Sequence, residues 1–268
     1  MPGSAAGVVY RYDGSFEGMI CCVYESFYCR EHPLAITEPN CAQMTLLDTR
    51  EITTDISRAE RVIEAIRAKI SPEALDLVRK SYLTCLAEKE LAVLKFLRLG
   101  FKIGPAVIDM LADDAVSTLQ KAVRHMSREA HLLSGFIRFS DYSGLLVSVI
   151  EPKNCVLPLI TDHFCDRYSG EAFIIHDATH ELALLYNKGR HEIAPMVDLP
   201  PMQVTQKEAM YRALWRRFYD TIGIEGRYNP KCRMTHMPKR YWAHMTEFQI
   251  EASQDEAFQK LTIPVLNN

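Results

Sequence analysis

The stretch "FIRFSDYSGLLVSVIEPKNCVLPLITDHFCDRYSGEAFIIHDATHELALLYN", residues 136–187, decides the fold class. "FIRFS" (136–140) and "LLVSVIE" (145–151) are rich in β-branched and aromatic residues and flank "DYSG", a hairpin signal. Pro152 ends the second run, and "VLPLITDHFCDRY" then reads as a helix despite its early proline. "AFIIHD" (172–177) and "ELALLYN" (181–187) flank another short polar turn, so the expected order is β-β-α-β-β.

Working outward, the pattern changes period. "VVYRY" (8–12) alternates like a strand. The segment after it repeats Phe16, Ile20, Val23, Tyr24 and Phe27 at helical spacing, with Asp13 or Ser15 to cap the first turn. "MTLLD" (44–48) reads as a second strand. Residues 55–134 are helical almost throughout: one helix over "ISRAERVIEAIRAKI", another opening at Ser71-Pro72 and running to Gly100 as C-cap, then helices over 105–112 and 114–133. Gly189 supplies a turn, "PMVDLPPMQV" (195–204) a proline-rich connection, and Thr205 with Glu208 a capping box for a helix reaching about Ile222. The expectation is an α+β fold: a small, mainly antiparallel sheet with a ββαββ core and a large all-helical insertion. It is read as a single unit over 1–268 with sub-regions 8–54, 55–134, 135–194 and 205–248.

Composition bounds the function. With 48% hydrophobic and 24% charged residues, the chain is that of an ordinary globular protein. A net charge of -3 leaves only a local patch for any polyanion. No apolar run approaches the roughly 20 residues of a membrane span. The start, "MPGSAAG", has neither a basic nor an apolar region of a signal peptide, so reduced thiols and a cytoplasmic location are expected. None of the eight cysteines forms a C-x-x-C pair, so no metal site and no cofactor is expected. Phosphate-loop, dinucleotide, nucleophile-elbow and zincin motifs are all missing.

Against that mildly acidic whole, "RYNPKCRMTHMPKRYWAHMTEF" (227–248) is cationic and has no acidic residue before Glu247. Arginine and lysine track a phosphate backbone and aromatic faces stack on bases, so Arg233, His236, Lys239, Arg240, Tyr241 and Trp242 are candidate nucleic-acid contacts. Arg212 and Arg216, four apart on the preceding helix, share a face and join them. The structural alternative is a tail whose Tyr241-Trp242 pair simply pins it to the core.

A second candidate set is acid–base: His131, His163, Asp177 and Arg138 around one cleft. Arg138 alternates with Ile137 and Phe139 on an expected strand, and Asp177 is also a plain turn former. A third reading makes the helical block 55–134 a protein-docking surface.

Several segments, "YDGSFEGMICCVYESF", "SREAHLLSGFIRF", "FIIHDATHELALLYN", "YRALWRRFYDTIGIEGRYNP" and "HMPKRYW" among them, together resemble a bacterial family described as "probable DNA metabolism protein". The resemblance implies work in DNA repair or modification, beside a partner of the radical-SAM class encoded next to family members. Some members carry a uracil-DNA-glycosylase-like domain after this module. The present chain lacks the C-x-x-x-C-x-x-C cysteines of a radical-SAM cluster, so that chemistry would belong to the partner. It departs from the family at the turn after Asp177, commonly basic but here Ala178-Thr179-His180-Glu181, which moves the expected phosphate grip to the C-terminal segment.

Overall fold

The computed structural model describes residues 7–39, 47–224, 226 and 229–248. The chain is α+β, and its contacts divide it into two compact units, residues 1–129 with 153–156 and residues 130–152 with 157–268.

The first unit is built on strand β1 (Val8–Arg11), which pairs in parallel with both β2 (Ala35–Thr37) and β3 (Asp48–Glu51) in the order β2-β1-β3. Between β1 and β2 runs helix α1 (Phe16–Tyr28), capped by Ser15, whose hydroxyl accepts a hydrogen bond from the Gly18 amide at 2.9 Å. Helix α2 (Ile56–Lys69) packs on α1, α3 (Pro72–Tyr82) on α2, and α4 (Lys89–Ile103) on α3 and β2. Asp55 and Ser71 cap α2 and α3 as their side chains predict, and Ala59, Val62 and Ile66 give α2 its buried stripe. Tyr10, Met19, Ile20, Phe96 and Leu97 lie at the centre of the core. The 3-10 turn Pro105–Asp109 replaces the helix expected at 105–112.

Two expectations fail here. The helix starting at Ser71 stops at Tyr82 rather than running to Gly100, and a separate helix, α4, runs on to Ile103 with Gly104 as its C-cap. The break is tertiary: the Cys155 amide donates to the Leu83 carbonyl at 2.9 Å, and the Cys85 amide donates to Asn154 Oδ1 at 2.9 Å. Among the described residues strand pairing in this unit is parallel, and the short β2 was not anticipated. Of the strand expected at 44–48, residues 44–46 lie outside the described residues; β3 begins at Asp48.

Helix α5 (Asp114–Phe136) leads into the second unit, a five-stranded sheet in the order β4-β5-β6-β7-β8. Strands β4 (Ser140–Tyr142) and β5 (Leu145–Ile150) form the first hairpin, and α6 (Leu157–Arg167) crosses over to β6 (Ala172–Asp177), which runs parallel to β5. Strands β7 (Leu182–Asn187) and β8 (Arg190–Pro195) complete an antiparallel meander. The ββαββ expectation holds, with β8 added. The first strand starts four residues late because α5 continues to Phe136. Arg138 therefore does not sit on a strand; its Nη1 donates to the Gly135 and Ile137 carbonyls at 2.9 and 3.2 Å, capping the helix end. Helix α7 (Gln206–Thr221), helix α8 (Pro230–His236) and 3-10 turns over Lys239–His244 and Thr246–Phe248 follow.

Candidate nucleic-acid interface

Helix α7 starts at Thr205, whose hydroxyl accepts from the Glu208 amide at 3.1 Å. The other half of the capping box is diverted. Glu208 is buried and turns to the sheet: one oxygen accepts from the Asp141 amide at 3.2 Å, the other from Arg212 Nε at 2.8 Å. Arg212 Nη2 in turn donates to Ser140 Oγ at 2.6 Å. This chain of contacts fixes α7 beside β4 and sets the rotation of the helix about its axis.

That rotation leaves an apolar stripe uncovered. Tyr211, Leu214, Trp215 and Phe218 recur at three- and four-residue spacing, yet Trp215 is 40% and Phe218 50% exposed. They rim an open groove of about 880 Å³ in the second unit. Its floor includes Phe139, which meets Phe164, Tyr168 and Phe173 with ring centroids 5.7, 4.9 and 5.6 Å away. Trp215 and Phe218 stack at 5.7 Å with 28° between their planes.

Three arginines enter the groove. Arg212 is paired with Glu208. Arg138 pairs with Glu247 at 2.9 Å and lies 5.8 Å over the Trp215 ring. Arg167 is exposed and lies 5.9 Å over Tyr168. The groove is thus aromatic and cationic at once, with two of its three charges balanced by carboxylates.

The rings of the basic tail are engaged within the second unit, as in the structural alternative. Trp242 stacks on Phe248 at 4.3 Å, its indole N–H donates to the Met237 carbonyl at 3.0 Å, and Arg233 and Lys239 lie 4.9 and 5.8 Å over its ring. Tyr241 is buried against Phe136 at 5.5 Å, with the Arg240 guanidinium over its ring and hydrogen-bonded to its hydroxyl. His236 Nδ1 lies 3.0 Å from the carbonyl oxygen of Cys232. Arg216, half-buried on α7, does not line the groove. Arg227 and Tyr228 lie outside the described residues.

Of the acid–base set only Arg138 lines the groove. His131 and His163 are exposed, and His163 meets the Phe164 ring edge-on at 4.9 Å. Asp177 is fully buried at the end of β6, where it accepts from the Thr179 and His180 amides and holds His180 Nδ1 at 2.7 Å. Arg138 has its nitrogens engaged by Glu247 and by two carbonyls. Among the described residues no group of three His, Cys, Asp or Glu could hold a metal ion. Among the same residues no helix is long and apolar enough to cross a membrane.

Sequence reasoning missed Tyr168, Tyr211, Trp215, Phe218 and Arg167. On a helix, apolar residues at this spacing read as a core face. The available signal was excess: Met210, Tyr211, Leu214, Trp215 and Phe218 span a wider arc than a helix that also carries Arg212, Arg216 and Arg217 has any need to bury.

The fold and groove together define an α+β protein with an arginine-bearing aromatic cleft. The model of a family described as a domain of unknown function, DUF4130, matches residues 87–247, more than half of the chain, and the chain belongs to that family. Every residue lining the groove falls inside the matched span. No curated protein matches the chain.

Proposed function

We propose that this protein is a nucleic-acid-binding accessory of DNA repair or modification, and that it holds unstacked bases in the groove beneath α7. The observation that carries the reading is that exposed Tyr211, Trp215 and Phe218 line one groove with Tyr168, with Arg138 over the Trp215 ring and Arg167 over the Tyr168 ring. Every base has a π-face, so a row of exposed rings binds single strands with little regard to sequence, and each stacked base contributes about 1–3 kcal/mol. A duplex, its bases already stacked, offers no such faces. The resemblance to DNA metabolism proteins supports the same reading, and catalysis would then belong to the radical-SAM partner it implies. A cytoplasmic site of action fits that partnership.

Fluorescence anisotropy with a labelled ten-residue deoxythymidine strand tests the proposal. Trp215→Ala and Phe218→Ala should each weaken binding by ten-fold or more, consistent with one lost stacking contact. Because Arg138 and Arg212 are already paired, affinity should fall only gently with salt, by about 0.7 log units per tenfold salt for each phosphate contacted. Binding left unchanged by both substitutions would sink the groove. A second reading, a protein-interaction module, is favoured by the exposure of Met210, Ile222 and Ile224 in and just beyond the same helix. Absence of any strand binding, together with co-purification of a partner protein lost on Ile222→Asp, would select it.

A further inference from the structure

At one end of the groove three donors converge on a single carboxylate. Glu247 Oε1 accepts from Arg138 Nη2 at 2.9 Å, and Oε2 accepts from Arg138 Nε at 3.3 Å and from Trp215 Nε1 at 3.2 Å. The Glu247 side chain is only 2% exposed. The fork of Arg138 does not depend on Glu247 for its orientation, because Nη1 is held from behind by the Gly135 and Ile137 carbonyls. The donor arrangement is therefore set by the end of α5 and by α7, while the acceptor comes from the short turn Thr246–Phe248.

A guanidinium fork and an indole N–H only donate hydrogen bonds, and together they bind a group that presents two adjacent anionic oxygens. A carboxylate does so, and a phosphodiester does so with the same bidentate geometry. We propose that Arg138 and Trp215 form the phosphodiester subsite of the groove, and that Glu247 is a competitor built into the chain that occupies it when no strand is bound. The inference rests on the nucleic-acid reading above and adds the class of group bound and the means of its control. Trp215 then serves twice, its face toward a base and its N–H toward the adjoining phosphate.

Displacement is feasible on physical grounds. A largely desolvated ion pair gains little over its hydrated partners, since lost hydration offsets most of the attraction. Arg138 remains 27% exposed, so water can reach it while the exchange occurs. The tethered carboxylate lowers apparent affinity by the fraction of molecules in which the subsite is open. Removing its charge should thus strengthen binding, whereas a latch that shapes the groove would, on removal, weaken it.

Glu247→Gln, close in size and without charge, separates these outcomes, with Glu247→Asp as a charge-retaining control. With the same ten-residue strand, Glu247→Gln should bind about ten-fold more tightly than wild type, and its log-log salt slope should steepen by about 0.7, the signature of one added phosphate contact. Glu247→Asp, with a shorter reach, should move the same way by less. In a Trp242→Phe background Trp215 is the sole tryptophan. There inorganic phosphate alone should change its fluorescence saturably in the Glu247→Gln variant, and the strand should displace it. A response to phosphate without strand displacement would show a free-anion site and overturn the phosphodiester assignment. Equal slopes and affinities in wild type and Glu247→Gln, or weaker binding in the variant, would overturn the competitor while leaving the groove in place. No strand binding by either protein would remove both proposals.

Discussion

Asp13 shows how much one side chain decides at the start of the first unit. It follows β1, its Oδ1 accepts from the Ser15 amide and hydroxyl at 3.0 and 2.6 Å, and its Oδ2 accepts from the Thr54 hydroxyl at 2.7 Å. It thereby joins the entry to α1 to the residues after β3. These bonds favour the ionised form, and the carboxyl lies below its ordinary value, chiefly through the Ser15 hydroxyl, opposed by partial burial and reinforced by Thr54. A depressed folded value means that the contribution is complete above the unfolded value, near pH 4, and is lost as pH falls through the folded one. Chemical denaturation followed from pH 6 down to pH 3 should show wild type losing stability faster below about pH 4 than Asp13→Asn. Parallel curves for the two proteins would show that Asp13 makes no such contribution.

At the scale of elements, the helix break between α3 and α4 is the clearest case of long-range contacts overriding local preference. Residues 71–100 carry a continuous helical pattern, with nothing local to stop it at Tyr82. The stop is imposed by residues 153–155, and these are held in turn by Glu129. Buried to 1% exposure, Glu129 accepts from the amides of Lys153 and Asn154 at 3.1 and 2.9 Å and from Asn154 Nδ2 at 2.6 Å. Glu129→Ala removes the acceptor of three donors, but Lys153 is exposed and Asn154 Nδ2 also lies 3.3 Å from His125 Nδ1. The full penalty of about 1–3 kcal/mol therefore falls chiefly on the buried Asn154 amide, and a loss of about 2 kcal/mol is expected in urea denaturation. A loss under 1 kcal/mol would show that water replaces the carboxylate freely. The same contrast explains what could be read from the sequence. The Thr205 cap, a first-turn cap at Asp13 or Ser15, the helix start at Ser71-Pro72 and the hairpins β4–β5 and β6–β7 are local devices and were legible. Strand β8 was not, because its exposed Arg190, His191 and Glu192 make an edge with no apolar alternation. The short β2 and the parallel pairing of β1 depend on partners distant in sequence. For the site, Arg138 was expected in an acid–base cleft and Arg212 among nucleic-acid contacts; both line the groove, and the carboxylates that pair with them were not foreseen. The groove's rings were invisible because the rotation of α7, set by Glu208 against β4, determines whether a stripe is core or surface.

For the whole molecule, the division into two compact units makes a prediction that composition alone could not. Both tryptophans, Trp215 and Trp242, belong to the second unit, so tryptophan fluorescence reports on that unit while far-ultraviolet circular dichroism reports on helices of both. Gly18 offers a way to perturb the first unit alone. A Cβ added there would lie 2.3 Å from Asp13 Oδ1, 2.8 Å from Thr54 Oγ1 and 2.9 Å from the Tyr12 ring, so Gly18→Ala forces the β1–α1 junction apart. Overpacking of this kind costs about 1–3 kcal/mol, enough to move a midpoint visibly. In urea, Gly18→Ala should shift the dichroism transition to lower denaturant and leave the fluorescence transition where it is in wild type. Two separable transitions would mean that the groove can keep its shape while the parallel-sheet unit opens. Helix α5, which runs without interruption across the boundary between the units, is the one element that argues for the opposite result. If both probes shift together and by the same amount, α5 transmits the strain, and the chain folds as one cooperative body despite its two cores.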